Sequence, residues 1–272
     1  MAYSNFKPTI WSKYIQTELG KHTVFEQDCD FRFKGEVGKG KTVKILGVAP
    51  PTIGNYTGAN IGNPEAVPDS SVYLVINQAK FFNFMVDDVD EAQATDGLMQ
   101  ALMKESTRAM AEARDTYIAG LCADGAGGAS SSATITTAAG AKSAVDAGLI
   151  YLWNNGVSQK DDVTAYLSPN VYQLMAEYIT ETKTDNDKLL AQGILGTYSG
   201  MKIKMSNNLK DDGTNRLLII KTSKAVAFAG GIDEVEAYRP EGFFSDAIKG
   251  LNTFGGKVVR PKEMYVIKEK KA

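Results

Sequence analysis

At 272 residues, with Lys+Arg 30 against Asp+Glu 32 and a formal net charge of -2, the chain is long enough for one large domain or two small ones and is close to neutral. That balance excludes a generally cationic nucleic-acid binder, which needs a surplus of Lys and Arg to neutralise phosphates. A hydrophobic content of 43% excludes a disordered or collagenous chain. The one histidine, His22, lies between Lys21 and Thr23, so a Ser–His–Asp triad would have to be built around a single imidazole in a polar segment, and a hydrolase is disfavoured. Cys29 and Cys122 belong to no CxxC pair and point to neither a metal cluster nor a redox motif.

In chain order, Phe6, Ile10, Trp11, Tyr14, Ile15 and Leu19 recur at helical spacing in a polar setting, and read as an arm that packs on something else. Polar residues every few positions there exclude a signal peptide or a membrane span. Phe31 to Val48 alternates and turns, which predicts a hairpin through Gly35 to Gly40. The stretch GEVGKGKT satisfies the spacing of a phosphate loop, but that chemistry needs a helix opening after the glycines so that N–H groups meet the phosphates. The run TVKILGVAPP that comes after the glycines is β-branched and ends in Pro50 and Pro51; it predicts a strand, so no nucleotide site is expected. Residues 50–71 are rich in Pro, Gly and Asn, lack periodicity and exceed an ordinary connection, which predicts a segment either mobile or ordered by a partner.

Residues 72–86 read as one extended stretch leading into Asp87, Asp88, Asp90 and Glu91. Those carboxylates lack the alternation of a calcium loop and read as a helix start, with Asp90 and Gln93 resembling a capping box. From Glu91 to Cys122 an apolar stripe through Leu98, Leu102, Ala109 and Ala113, with Met99, Met103, Met110, Tyr117 and Leu121, predicts a helix on the order of 45 Å long. A small-residue loop at 123–136 precedes a helix near 141–155, a strand at Val163 to Leu167 and a helix led by Pro169. An exposed loop at 180–188 comes next. Strands are predicted at Met201 to Met205, Leu217 to Ile220, Ala225 to Phe228 and Val235 to Tyr238, then a strand pair over Phe243 to Ile267 turning at Gly255 and Gly256. The pattern is α+β.

Taken in order, LVINQAKFFNFMVDDVD, Asp115 within the long helix, YLSPNVYQLM, Gly193 to Gly200 before KIKMSNN, and FSDAIKGLNTFGGKVVRP resemble the major capsid proteins of tailed bacteriophages, over nearly the whole chain. The resemblance implies an α+β Hong Kong 97-type capsid fold. Its parts would be an N-arm at 1–30, an E-loop hairpin at 31–71 that reaches over a neighbouring subunit, a peripheral domain with a long spine helix plus β-sheet at 72–139, an axial domain at 140–230, and a return to the peripheral domain at 231–272.

The implied function is self-assembly into pentamers and hexamers of an icosahedral phage head that encloses a double-stranded DNA genome, built in the host bacterial cytoplasm. No catalytic residue, cofactor, metal or membrane is expected. Inter-subunit contacts are expected at Pro51, Tyr56 and Asn60 in the E-loop and at Asp185 and Asn186 in the axial loop. The chain starts at the arm, without the helical scaffolding segment that some relatives carry, so a separate scaffolding protein and a portal are implied partners. The DNA is expected to be held without sequence-specific contacts. Some relatives cross-link a Lys to an Asn of a neighbour; Lys39, Lys41, Asn55 and Asn60 do not match that pattern clearly, and no covalent links are expected. Encapsulins, which enclose cargo enzymes in a shell of the same fold, are the alternative.

Overall fold

The computed structural model describes residues 23–32, 42–48, 53, 55, 69–87, 98–181 and 197–271. In chain order they form β1 (Thr42–Val48), β2 (Asp69–Val75), β3 (Gln78–Asp87), α1 (Leu98–Gly125), β4 (Gly128–Ala129), α2 (Ala138–Asn154), β5 (Val163–Leu167), α3 (Pro169–Glu181), β6 (Thr197–Tyr198), β7 (Met201–Met205), β8 (Asn215–Thr222), β9 (Val226–Tyr238), β10 (Ser245–Val258) and β11 (Met264–Lys270). The strands make three sheets: β1 with β2, the order β3-β10-β9, and the order β4-β11-β8-β5-β7-β6.

Helix α1 is about 42 Å long at 1.5 Å per residue. Met103, Thr107, Met110, Ala111, Arg114, Asp115, Ile118, Ala119 and Cys122 are buried, at spacings of three and four that place them on one face. The first half of that face packs under the three-stranded sheet, where Met103 meets Ile248, Phe82, Phe84, Val235 and Ala237. The second half, through Ile118 and Cys122, joins the main core beside the six-stranded sheet. Helix α2 starts where Thr137 Oγ1 accepts from the Gly140 N–H at 3.1 Å, and α3 where Ser168 Oγ accepts from the Val171 N–H at 3.3 Å. Every residue of β5 is buried, as its place between β8 and β7 requires. No helix among the described residues is long and apolar enough to cross a membrane.

Several predicted elements change partners or limits. The strand after the glycine-rich stretch is present as β1, but it pairs antiparallel with β2, Thr42 opposite Val75 and Val48 opposite Asp69, so its hairpin closes across residues 49–68. The predicted turn at Gly35 to Gly40 lies outside the described residues, as do the acidic cap at residues 88–91 and His22. The extended stretch 72–86 is two strands in two sheets, broken at Ile76 and Asn77. The expected strand pair turning at Gly255 and Gly256 is corrected: both glycines lie inside β10, whose hairpin partner is β9, and β11 belongs to the other sheet. A Cβ on Gly255 would sit 2.2 Å from the Val75 carbonyl oxygen and 2.7 Å from Ile76 Cα, so glycine here serves a close backbone approach. The two strands predicted at 225–228 and 235–238 are the single strand β9, with a register shift opposite Asn252 to Phe254.

Candidate inter-subunit surface

Side chains on a strand alternate between faces, and in β3 the alternation leaves two unlike surfaces. Phe82 and Phe84 face α1, whereas Phe81 and Met85 face away and are 78% and 57% exposed. Leu251 of β10 stands opposite Phe81 in register and is also exposed. Beside them Lys249 pairs with Glu236 at 2.8 Å and lies 5.0 Å from the centre of the Tyr238 ring, while the Tyr238 hydroxyl hydrogen-bonds Asn83 at 3.2 Å. Phe81, Asn83, Glu236, Lys249 and Leu251 bound an open groove of about 370 Å³, with Phe81 and Leu251 on its apolar side and Glu234 among its charges. At one end of the sheet, in the connection from β9 to β10, Phe243 and Phe244 are 61% and 81% exposed.

The hairpin of β1 and β2 is anchored at its base, where Val43, Ile45 and Leu74 pack on Ala227 and Ala229 of β9. Its other face presents Tyr73 and Val75, both exposed, and Ile53 beyond the strands is almost fully exposed. Apolar side chains grouped on one exposed sheet face, as Phe81, Met85 and Leu251 are, mark a candidate contact site.

Behind the sheets, the segment Thr23–Arg32 is clasped by buried polar groups. The Asp115 carboxylate of α1 accepts from the Val24 N–H at 2.7 Å and the Phe25 N–H at 3.1 Å, and burial raises its pKa above the usual carboxylate value against the pull of those bonds. Arg114 pairs with Glu26 at 3.1 Å, donates to Asn252 Oδ1 at 3.1 Å and lies over the rings of Phe228 and Phe254. Asp28 accepts from the Tyr166 hydroxyl and from Lys204 Nζ, both at 2.6 Å, and Lys221 Nζ donates to its backbone carbonyl. Phe25 stacks on Tyr166 with ring centres 4.0 Å apart. Asp30 bonds to β9 through its N–H to Val226 and its carbonyl from Phe228. The two thiols lie in this core, and burial pushes Cys29 up to about 11 and Cys122 up to about 12.

Among the described residues no group of three or more His, Cys, Asp or Glu side chains is placed to hold a metal ion. The predicted contact residues Pro51, Tyr56, Asn60, Asp185 and Asn186 all lie outside the described residues, and Asn55 is exposed. The exposed sheet face, with Phe81, Met85 and Leu251, was not anticipated. Its signal is the run FFNFM, in which Phe82 and Phe84 supply one alternating set and Phe81 and Met85, on either side of Asn83, leave the other set largely apolar as well.

The architecture recurs in solved structures. A structure from Mycobacterium phage Che8 is 29% identical over 90% of this chain and 90% of its own, with a TM-score of 0.77. The capsid structure of cyanophage P-SCSP1u is 16% identical over 92% of this chain and 89% of its own, with a TM-score of 0.72. A virus-like particle from Pyrococcus furiosus, 12% identical over 95% of this chain and 98% of its own at a TM-score of 0.61, shares the fold. No curated protein matches the sequence. The fold is the α+β Hong Kong 97-type capsid fold. The model of the phage capsid protein family matches residues 71–267, and the chain belongs to that family as a major capsid protein.

Proposed function

We propose that this chain is the building block of an icosahedral phage head, in which copies close into pentamers and hexamers around a double-stranded DNA genome. The observation that carries this reading is the coexistence, in a capsid-family chain, of an uncovered apolar face on the sheet β3-β10-β9 and a hairpin, β1–β2, that belongs to neither larger sheet. Each supplies what the other lacks when the hairpin of one copy covers Phe81, Met85 and Leu251 of the next. Such head-to-tail contacts close into rings when the rotation between copies permits.

On this reading residues 1–30 are an arm, 31–71 the hairpin that reaches a neighbour, 72–139 and 231–272 the peripheral part, and 140–230 the axial part, with β11 crossing from the returning segment into the six-stranded sheet. Pro51, Tyr56 and Asn60, and Asp185 and Asn186, are the contact residues of the two loops. A separate scaffolding protein and a portal are the expected partners, and assembly takes place in the host cytoplasm. The DNA is held by confinement without sequence readout, which the near-neutral net charge supports. The work of the chain is geometric, so no catalytic step is assigned to it. Membership of the phage capsid family favours a genome as the contents over the cargo enzymes of an encapsulin.

Electron microscopy of the purified protein tests the reading: closed icosahedral particles are expected, and a chain that stays monomeric under all assembly conditions would refute it. Deleting residues 50–65 is expected to abolish shells while the subunit keeps its cooperative melting. Normal shells from that deletion would remove the hairpin from the assembly contact.

A further inference from the structure

A second cavity, of about 620 Å³, opens at the end of the six-stranded sheet, beside residues 134–136 that lead into α2 and the first turn of α3. Asn170 and Gln173 line it from α3, and Arg216, Glu269, Lys270 and Lys271 from the ends of β8 and β11. Glu269 is only 7% exposed, and its Oε2 is the one buried side-chain oxygen or nitrogen without a hydrogen-bond partner among the described residues. Arg216 stands opposite Glu269 in register on β8, yet its guanidinium does not reach that oxygen. Lys270 and Lys271 are exposed, and Lys271 pairs with Asp211.

A buried carboxylate oxygen without a donor is costly, and the cavity beside it is where a donor can arrive. The occupant has to satisfy two demands together: an N–H or similar donor for Glu269, and acceptors for Arg216 and Lys270, since Lys271 already pairs with Asp211. A phosphodiester offers acceptors only, so it would leave Oε2 unpartnered and set like charge beside it. A polypeptide carries both kinds of group. Of the chain's 32 acidic residues, Glu105, Glu234 and Glu241 are among those exposed, so a complement to this basic rim exists on its own copies.

We propose that this cavity is an assembly contact that receives an acidic stretch of a second copy of this chain, its carboxylates meeting Arg216 and Lys270 and one of its N–H groups meeting Glu269 Oε2. The inference rests on the self-assembly reading and adds a contact to it, separate from the hairpin and the sheet face.

Shells assembled from a mixture of isotopically light and heavy full-length chains, treated with a water-soluble carbodiimide, report the contact by mass spectrometry. Lys270 is expected to be joined to an Asp or Glu of the other isotope in shells, and the link is expected to vanish in unassembled subunits. Links confined to one isotope, or equal in shells and subunits, overturn the proposal. Glu269→Leu is the companion variant. It removes the unpartnered carboxylate, so the isolated subunit should melt no lower than wild type while its shells dissociate at lower urea. Shells as resistant as wild type would overturn the proposal as well. Absence of any shell by electron microscopy of the wild-type chain sinks the self-assembly reading; shells without the inter-copy link sink this contact alone.

Discussion

Asp115 shows what a single residue does when the chain buries it. Its carboxylate has no exposure and ties α1 to the backbone of Val24 and Phe25, so the segment Thr23–Arg32 is held by a group 90 residues away. Because its pKa is raised in the folded chain, the native state binds this proton more tightly than the unfolded state does. The stability it contributes is then full below the unfolded pKa and lost as pH rises through the folded one. The melting temperature of the wild-type subunit relative to Asp115→Asn should rise as pH falls from about 7 toward about 4; a gap that stays flat would contradict the assignment. Arg114 is the stronger test of the same clasp. Arg114→Ala removes the charge partner of Glu26 and the cation over Phe228 and Phe254, with an expected loss of about 3–5 kcal/mol in urea denaturation. The thiols of Cys29 and Cys122, pushed up by burial, should resist alkylation at about pH 8 in the folded subunit and react once it is denatured.

At the scale of elements, β10 carries the most varied duties. It pairs with β3 on one side and β9 on the other, supplies Ile248 to the core above α1, exposes Leu251 on the opposite face, and brings Gly255 against the joint between β2 and β3. That last contact is backbone against backbone, so a methyl group has no flexible side chain to displace. Gly255→Ala should therefore cost about 1–3 kcal/mol or more in chemical denaturation, whereas an alanine at Gly242, whose φ of 86° marks the turn between β9 and β10, meets no neighbour and strains only the local backbone. Equal losses at the two sites would argue against the close approach.

At the scale of the whole molecule, the chain folds around two burial problems and leaves a third open. The main core covers the six-stranded sheet, and α1 covers one face of the three-stranded sheet. The other face keeps Phe81, Met85 and Leu251 in solvent. Since Phe81 is mostly exposed, Phe81→Asp should change subunit stability by no more than about 0.5 kcal/mol. Particle yield by electron microscopy and size-exclusion chromatography should fall sharply. A variant that forms normal particles would show that the face is not covered in the shell.

The elements most legible in the sequence are those whose signals are local. The strand Val163–Leu167 and the strand Met201–Met205 agree with their predicted limits, and α1 follows a stripe that the spacing of its apolar residues already draws. What the sequence by itself determined was the α+β alternation, the long helix, the helix led by Pro169, and, through the order of its segments, the resemblance to capsid proteins. Partner choice was decided by the tertiary structure alone. A strand's hydrogen bonds are satisfied by whatever strand lies beside it, and nothing in residues 42–48 names residues 69–75 as their partner, or tells a glycine of a turn from a glycine of close approach. The clasp around Arg114 and Asp115 was illegible for the same reason: each charge looks ordinary on its helix, and only the fold carries Glu26, Asn252 and the backbone of Val24 to within hydrogen-bonding distance of the two.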